Sequence, residues 1–328
     1  MTGPHTAVPR HTDVATLGPS GVPVTRLGLG TAAIGGLFTP VGEEQAAGTL
    51  DAAWAAGTRY FDTAPHYGTG LAERRLGAFL RDRPRGEVTV STKVGRLLVP
   101  GDGSADPDGF RGDPSLVRRR DYTAEGVYRS VADSLERTGL DRFDVLLIHD
   151  PDEYWTEAVS GAYPALDRLR AEGAVGAIGA GMNQTAMLSR FVRETDVDCV
   201  LVAGRYSLLD RSAADDLLRV CQDRGVGVLV GGVFNSGVLA DPHPRATFDY
   251  APVTGPVLER AQRLRDLCAA HRVPLTAAAL QFALRHPAVT GIVVGARTAD
   301  EVTTNNRLLQ LPIPSALWAD LESEAAAW

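Results

Sequence analysis

The sequence predicts an α/β fold in which eight parallel strands, each followed by a helix, close into a (β/α)8 TIM barrel. Apolar runs with strand character alternate with amphipathic stretches along the whole chain. Eight such strand–helix units are present, which is the number that a closed parallel barrel requires. No linker divides the 328 residues, so we expect a single barrel domain over residues 1–328.

The chain is expected to begin with a flexible tail, residues 1–14, followed by a short β-hairpin whose turn contains Pro19 and Gly21. The barrel strands come next, as runs rich in Val, Ile, Leu and Thr. They are predicted at residues 27–33, 58–64, 88–94, 143–150, 174–181, 197–204, 226–232 and 290–296. An amphipathic segment follows each strand, and two follow the seventh, as the helical layer of a barrel requires.

The segment after the third predicted strand, residues 95–121, is long and contains glycines, prolines and charges of both signs. Long loops at the mouth of a barrel are often functional. We therefore expect a mobile flap over the active site, with a disordered surface insertion as the alternative.

A doubly wound open sheet is the alternative fold, because the number of strands alone does not show that a sheet closes. The run Gly28-Leu29-Gly30-Thr31-Ala32-Ala33 matches a loose dinucleotide-binding fingerprint, and Asp51 follows at about the distance that such motifs require. The fingerprint needs a helix that opens within the glycine run. Here residues 34–42 intervene before the first helical stretch, which favours the barrel.

The composition argues against several kinds of partner. A net charge of −7 and a pI near 5.5 disfavour nucleic acid and anionic membranes. The three cysteines are odd in number and lack metal-ligand spacing, which predicts free thiols in a reducing, cytoplasmic compartment and no metal site. No segment has the pattern of a signal peptide or the length of a membrane span. A monomer and a small homo-oligomer are both compatible with the mixed surface charge.

Lys93 is the only lysine among 33 basic residues. A lysine in a background of arginine indicates a role that a planar, permanently charged guanidinium cannot fill. Lys93 ends the third predicted strand, Asp62 and His149 end the second and fourth, and Tyr67 follows Asp62 in a loop. Because the reactive side chains of barrels lie at the carboxyl ends of strands, we expect all four to face one mouth.

These four side chains suggest a proton relay. A cation near a phenol favours the phenolate, so Lys93 is expected to lower the pKa of Tyr67, while Asp62 keeps Lys93 in place. Tyr67 would then exchange a proton with a carbonyl or hydroxyl oxygen that His149 orients. Such a relay suits carbonyl–alcohol interconversion, which needs a hydride partner and therefore implies a nicotinamide cofactor.

Several runs together resemble the aldo-keto reductases: RLGLGTAAIGG, YFDTAPHYG, VSTKVG, DVLLIH and IGAGMN. The resemblance spans about residues 15–325. It implies a (β/α)8 barrel that binds NAD or NADP and a catalytic tetrad of Asp62, Tyr67, Lys93 and His149. The segments AGRYSLLDR, GGVFNSGVL and HDPD are most similar to the group of NAD-dependent aldose, L-fucose and pyridoxal 4-dehydrogenases.

The resemblance also implies a set of residues that contact the cofactor. They are Thr31, Asp62, Asn183, Tyr206, Gly232, Phe234, Ser236, Gly237, Gly295, Ala296, Arg297, Glu301 and Asn305. Three positions depart from the family pattern. Gly231 stands where many members have a tyrosine that stacks on the nicotinamide, and Ala203 and Met182 replace a glutamine and a serine.

The same comparison predicts NAD as the cofactor, with NADP less favoured. Members that use NADP place a lysine and an arginine around the 2′-phosphate, and here Gly295 and Glu301 match those positions. A carboxylate repels a phosphate and accepts hydrogen bonds from a ribose diol. We therefore expect oxidation to be the working direction.

The substrate is expected to be a small molecule. His66, Asp150, Trp155 and Asn235 are predicted to line the opening, and their mixture of polar groups and one aromatic ring suits a sugar hemiacetal or, as a second choice, pyridoxal. A general aldehyde reductase of the same family is a further alternative. Two other classes stay open. A lone lysine at a strand end is compatible with a Schiff-base aldolase, and the same fold could serve a regulatory protein that binds the cofactor without turnover.

Overall fold

A computed structural model of the chain describes residues 10–103 and 109–326. Eight parallel strands close into a barrel, with helices between successive strands. The predicted (β/α)8 barrel is therefore confirmed, and the doubly wound alternative is wrong. The first barrel strand ends at Gly30 and the first helix begins only at Glu43, so no helix opens within the glycine run that imitates a dinucleotide fingerprint.

The strands of the described residues are, in chain order, β1 (Val14–Leu17), β2 (Val22–Thr25), β3 (Leu27–Gly30), β4 (Tyr60–Asp62), β5 (Thr89–Val94), β6 (Arg96–Pro100), β7 (Leu116–Arg120), β8 (Val145–His149), β9 (Ala177–Met182), β10 (Cys199–Ala203), β11 (Gly227–Gly231), β12 (Thr247–Phe248), β13 (Ala251–Pro252) and β14 (Val289–Gly295). The barrel is formed by β3, β4, β5, β8, β9, β10, β11 and β14, each paired with the next, and β14 closes on β3. The remaining strands form three antiparallel hairpins, β1–β2, β6–β7 and β12–β13.

The helices of the described residues are α1 (Glu43–Ala55), α2 (Leu71–Leu80), α3 (Ala124–Thr138), α4 (Trp155–Glu157), α5 (Tyr163–Ala171), α6 (Thr185–Glu194), α7 (Leu217–Arg224), α8 (Gly255–Ala270), α9 (Leu275–Ala283), α10 (Ala299–Leu309) and α11 (Ser315–Ala326). A π-helical turn, Ala158–Ala162, joins α4 to α5. Local signals set several ends. The hydroxyl of Thr123 caps α3 by accepting from the backbone N–H of Gly126, and Gly139 ends that helix with a φ of 67°.

The hairpin β1–β2 covers one end of the barrel. Leu17 and Val24 pack in one apolar cluster with interior side chains of the barrel strands, including Leu147 and Leu229. Gly18, just beyond β1, lies so close to the backbone carbonyl of Asp198 that a Cβ there would approach its oxygen to 2.2 Å. Because apolar side chains fill this end, the polar side chains of the strands collect at the opposite, carboxyl end.

One expectation about irregular segments needs correction. Residues 10–14 are not part of a free tail, since His11 bonds the carbonyl of Ala56 at 2.7 Å and β1 begins at Val14, while residues 1–9 lie outside the described residues. The segment 95–121, expected to be a flap over the active site, contains the hairpin β6–β7, in which Leu97 and Val99 pair with β7. Its mobility stays a prediction. Residues 104–108 lie outside the described part. Within that part, no helix is long and apolar enough to cross a membrane.

Candidate active site

Three neighbouring barrel strands place the predicted polar residues at one mouth. Asp62 is the last residue of β4, Lys93 is the penultimate residue of β5, and His149 is the last residue of β8. Since β4 pairs with β5 and β5 with β8, these side chains are adjacent. Tyr67 reaches the same place from the loop after β4. The four residues predicted from the sequence are thus brought together.

Lys93 is the centre of this cluster. Its ammonium donates three hydrogen bonds, to Asp62 Oδ2 at 2.7 Å, to the carbonyl of Thr63 at 3.0 Å and to the hydroxyl of Tyr67 at 2.9 Å. The other oxygen of Asp62 accepts from Ser91 Oγ at 2.7 Å. Every donor of the ammonium is therefore satisfied in a site where water has little access.

Burial and charge act in opposite directions on Lys93 and Tyr67. Burial disfavours the charged lysine, but Asp62 and Tyr67 together raise the pKa of Lys93 above its ordinary value. For Tyr67, burial raises the pKa to about 12, although the charge of Lys93 lowers it. The expectation that Lys93 brings this pKa below its ordinary value is therefore wrong, because desolvation of the phenolate outweighs the cation. Both groups are protonated at neutral pH.

His149 faces Tyr67 edge-on, with the two ring centroids 6.1 Å apart and an interplanar angle of 88°. Burial, and then the charges of Arg96 and Lys93, hold the pKa of His149 well below its usual value, so the imidazole is neutral. Its own backbone carbonyl accepts a hydrogen bond from the hydroxyl of Tyr122 at 2.7 Å. His149 is thus an uncharged group whose ring can donate from one nitrogen.

Arg96 is a residue of this site that sequence analysis missed. It donates to Asp150 Oδ2 at 2.5 Å and to Nδ1 of His66 at 3.1 Å. Burial, and then the charge of Arg96, lower the pKa of His66 to about 2, which agrees with a neutral ring whose Nδ1 accepts. Its position in the sequence could have identified it as a site residue, because Arg96 comes three residues after Lys93, at the start of the segment interpreted as a flap.

Aromatic side chains that the sequence analysis did not select surround the opening. Phe110 stacks on Tyr67, with ring centroids 5.8 Å apart and planes 23° apart, and it also contacts His66 at 5.0 Å. Phe38 and Tyr250 approach each other from two further loops, with centroids 6.2 Å apart. Phe38 is 37% exposed and Tyr250 58% exposed, so an apolar rim remains accessible.

Most of the predicted cofactor residues also lie at carboxyl ends of strands. Asn183 donates to the carbonyl of Ala203, and Asn235, which was predicted to contact substrate, donates to the carbonyl of Gly204, each at 3.0 Å. Thr31 donates to the carbonyl of Asp62 at 3.0 Å. The remaining members of the set follow β11 or lie at the end of β14 and in α10: Gly232, Phe234, Ser236, Gly237, Gly295, Ala296, Arg297, Glu301 and Asn305.

Two predicted residues are held elsewhere by aromatic packing. Tyr206 packs against Phe282 of α9, with the ring centroids 5.0 Å apart and the planes tilted by 40°. Trp155, predicted to contact substrate, packs on Phe191 of α6 at 4.8 Å, and the guanidinium of Arg190 covers its ring at 3.8 Å. Large rings gain more from burial between helices than from exposure at a rim. Neither residue is brought to the four polar side chains.

Glu301 has a local partner that the sequence analysis did not consider. The hydroxyl of Thr298 accepts from the backbone N–H of Glu301 at 3.1 Å, and Glu301 Oε2 accepts from the backbone N–H of Arg297 at 2.7 Å. The spacing Thr-x-x-Glu is a capping signal for a helix start. Glu301 therefore helps to begin α10, whatever its relation to a cofactor.

The polar atoms at this mouth fit a nicotinamide dinucleotide. Buried side-chain atoms without a hydrogen-bond partner among the described residues include Thr63 Oγ1, Asn235 Oδ1 and Arg297 Nε. Such atoms are costly unless a ligand or water satisfies them. After β11, Ser236 and Gly237 have φ of 58° and 114°, and a Cβ on Gly237 would meet nothing within 4 Å, so this backbone turn is open to a ligand. No group of metal-ligating side chains was found in the part of the chain that the structure describes.

Comparisons with known proteins agree with this geometry. D-threo-aldose 1-dehydrogenase from Pseudomonas sp is 43% identical over 310 residues, which cover 92% of this chain and 94% of that protein. Pyridoxal 4-dehydrogenase from Microbacterium luteolum is 40% identical over 329 residues, covering 94% and 96%. A glycerol dehydrogenase structure from Gluconobacter oxydans has a TM-score of 0.78 at 21% identity, covers 96% of each chain and supports the fold alone.

The family is also shown directly. The model of the aldo/keto reductase family matches residues 26–325, which include every barrel strand. The chain is therefore an oxidoreductase of the aldo-keto reductase family, whose members use a nicotinamide cofactor.

Proposed function

We propose that this enzyme oxidises the hemiacetal carbon of an aldose to a lactone, with NAD as the hydride acceptor. The observation that carries the proposal is the ammonium of Lys93, which bonds Asp62 and Tyr67 at once beside the neutral ring of His149. The 43% identity to an aldose 1-dehydrogenase supports a sugar as the substrate.

In this proposal the reacting oxygen of the substrate lies between the hydroxyl of Tyr67 and the ring of His149. During oxidation the phenolate form of Tyr67 accepts the hydroxyl proton, while the hydrogen on the carbon leaves as hydride to the nicotinamide. His149 donates a hydrogen bond that fixes the oxygen. Lys93 stabilises the phenolate of Tyr67, and Asp62 holds Lys93 at the required distance. In the opposite direction Tyr67 donates its proton to the carbonyl oxygen.

A bound nicotinamide ring supplies hydride exchange. We assign its amide to Asn183 and Asn235, whose side chains meet beside Gly204, where a Cβ would lie 3.9 Å and 3.7 Å from their Nδ2 atoms. The open turn at Ser236 and Gly237 is assigned to the pyrophosphate, and Arg297 and Asn305 to the adenosine end. These assignments use polar groups that the fold gathers at one mouth.

NAD rather than NADP is proposed because Glu301 is exposed in the first turn of α10 and Gly295 supplies no cation. A 2′-phosphate at that position would meet a carboxylate. The net charge of −7 and three buried free thiols favour the cytoplasmic location predicted from the sequence. A monomer or small homo-oligomer stays a prediction.

Pyridoxal is the second candidate substrate. The aromatic rim of Phe38, Phe110 and Tyr250 suits a flat heteroaromatic ring, and a pyridoxal 4-dehydrogenase is 40% identical. A Schiff-base aldolase is not supported, because a lysine nucleophile must be neutral. Here burial opposes the charge of Lys93, but Asp62 and Tyr67 raise its pKa.

The test is a screen of free aldoses and pyridoxal with NAD and NADP in parallel, followed by absorbance of the reduced cofactor. We expect the highest kcat/KM with an aldose and NAD, and a lactone as the product. Oxidation of pyridoxal alone would replace the first candidate with the second. Tight NAD binding without turnover of any aldehyde, alcohol or sugar would favour a regulatory protein and would rule out both candidate substrates.

A further inference from the structure

Only one of the two carboxylate oxygens of Asp150 accepts a hydrogen bond from the described residues. Its Oδ2 accepts from Arg96 at 2.5 Å and lies 3.5 Å from Nε2 of His149. No side chain or backbone group of the described residues donates to Oδ1. The side chain is 26% exposed, so the carboxylate is accessible to a ligand. A partly buried carboxylate with an unused acceptor favours a ligand that donates to it.

The chain holds Asp150 in position at several points. Its backbone carbonyl accepts from the hydroxyl of Tyr122 at 2.8 Å, and its N–H donates to the carbonyl of Gly181 at 3.0 Å. Its φ of 43° is in the left-handed region, which a non-glycine residue rarely adopts. Strain of this kind persists only where surrounding contacts impose it, and it is concentrated at functional positions. Arg96, itself 11% exposed, then fixes the carboxylate.

We propose that Oδ1 of Asp150 accepts a hydrogen bond from the hydroxyl on the carbon next to the reacting carbon, and so selects sugars that carry a 2-hydroxyl. This inference rests on the proposed function. It adds a specificity-determining residue, Asp150, and a positioning residue, Arg96, to the reaction carried by Tyr67 and His149.

The distances agree with this assignment. The reacting oxygen bonds Nε2 of His149 in the proposed reaction, and Asp150 Oδ2 is 3.5 Å from that nitrogen. Oxygens on adjacent carbons of a sugar lie about one hydrogen-bond length apart. A hydroxyl next to the reacting carbon therefore falls within reach of the Asp150 carboxylate. A substrate without it leaves the carboxylate oxygen unpaired, which is how polar sites reject analogues that lack a hydroxyl.

Asp150→Ala is the sharpest variant, because it removes both carboxylate oxygens. In Asp150→Asn the amide oxygen must stay with Arg96, which has only donors, so an NH2 group replaces Oδ1. That group can still donate to the oxygen of the sugar hydroxyl, but the hydrogen bond to a charged acceptor is lost. Glu153→Gln is the matched control, since Glu153 lies in the same loop, is 78% exposed and pairs loosely with Arg120 at 3.6 Å.

The experiment measures kcat/KM for an aldose that the wild-type enzyme oxidises and for its 2-deoxy analogue. We expect the wild type and Glu153→Gln to prefer the 2-hydroxylated sugar by about 10- to 100-fold, the worth of a hydrogen bond to a charged group. In Asp150→Ala this ratio should fall to within about threefold of one, through loss of activity on the hydroxylated sugar alone, and in Asp150→Asn it should fall in part. Arg96→Lys keeps the charge but not the fork, and should reduce the ratio in part.

Each other outcome overturns the inference. Equal losses on both sugars in the Asp150 variants would show that Asp150 organises the site without selecting the 2-hydroxyl. A wild-type ratio near one would exclude selection of the 2-hydroxyl. If the wild type oxidises neither sugar but oxidises pyridoxal, the proposed function fails and the inference fails with it, whereas turnover of both sugars with an unchanged ratio refutes the inference alone.

Discussion

Lys93 Nζ lies 2.7 Å from Asp62 Oδ2, and the two side chains are only 2% and 3% exposed. Burial of two charges is costly, and it is tolerated only when geometry is good and the remaining donors and acceptors are bonded. Both conditions hold here. Thr63 and Tyr67 satisfy the other two donors of the ammonium, and Ser91 bonds the second carboxylate oxygen. The pair is therefore a rigid support for Tyr67 rather than a mobile surface contact.

Lys93→Arg is expected to lower kcat by about 100-fold or more. The substitution keeps the positive charge, but a wide planar guanidinium cannot bond Asp62, Thr63 and Tyr67 from the position of one ammonium. The measurement is steady-state kinetics with an aldose and NAD. Arg129→Lys, on the exposed face of α3, is the control and should retain wild-type rates. Near-full activity of Lys93→Arg would remove the main support for the proposed function.

The pH dependence of the two reaction directions should differ. Burial raises the pKa of Tyr67 to about 12, so its hydroxyl is protonated throughout the neutral range. Reduction uses this protonated form, and its kcat/KM is expected to be flat from about pH 6 to pH 10. Oxidation uses the deprotonated form, so log kcat/KM should rise by about one per pH unit over the same range.

His149 should add no acidic limb to either profile. Burial, and then the charges of Arg96 and Lys93, lower the pKa of His149 well below the usual value, so its ring is neutral throughout the pH range of both profiles. The profiles are measured with saturating cofactor under conditions where chemistry limits the rate. A plateau of the oxidation rate by pH 8, absent in Tyr67→Phe, would show that the phenol ionises much more readily than its burial implies.

Position along strands explains why much of the site was predictable from the sequence. Asp62, Lys93 and His149 occupy the ends of three consecutive parallel strands, and strand ends are visible as the last residues of apolar runs. The number of repeats favoured a closed barrel, but closure itself is shown only by the pairing of β14 with β3. The direction in which the pKa of Tyr67 shifts was not predictable from the sequence. It depends on how far burial outweighs the neighbouring cation, and burial is known only from the folded structure.

Residues brought to the mouth by loops were harder to identify. Phe110 and Tyr250 lie in segments without regular periodicity, in the connections of the hairpins β6–β7 and β12–β13, so their positions depend on how those hairpins pair. Tyr206 and Trp155 were misplaced for the opposite reason. Each follows a barrel strand in sequence, but its ring packs against an aromatic side chain of an outer helix.

Phe110→Ala is expected to shift the oxidation profile toward lower pH and to raise KM for the sugar. Phe110 stacks on Tyr67 and is 6% exposed, so its removal admits water to the phenol. Since burial is the largest cause of the raised pKa of Tyr67, hydration should bring that pKa down. Phe38→Ala is the control, because Phe38 contacts Tyr250 but makes no ring contact with Tyr67. Identical profiles for the wild type and Phe110→Ala would contradict this explanation.

Glu73→Ala should lower the free energy of unfolding by about 3 kcal/mol without a matching change in KM. Glu73 is fully buried and accepts from Thr92 Oγ1 at 2.9 Å and from Arg137 Nε at 2.6 Å, which ties β5 to α2 and α3. Its loss leaves the largely buried Arg137 without its carboxylate. Urea denaturation measures the change, and Glu136→Ala, exposed on α3, is the control with less than about 0.5 kcal/mol. A similarly small effect for Glu73→Ala would show that the Glu73–Arg137 pair contributes little to the free energy of unfolding.

Glu301→Arg is expected to raise the ratio of kcat/KM for NADP to that for NAD by at least about tenfold, since it replaces a repelling carboxylate with a cation that pairs with a phosphate. Glu301 also accepts from the backbone of Arg297 at 2.7 Å, so this variant should lose about 1 kcal/mol of stability.

Two further variants separate the effect on cofactor preference from the effect on stability. Glu301→Gln keeps an acceptor for the cap but loses the charge, and should raise the ratio by a smaller factor with an unchanged Tm. Thr298→Ala removes the hydroxyl that accepts from Glu301, and should lower Tm while leaving the ratio as it is. If all three variants changed Tm alone, Glu301 would serve only to begin α10, and NAD preference would have to arise elsewhere at the mouth.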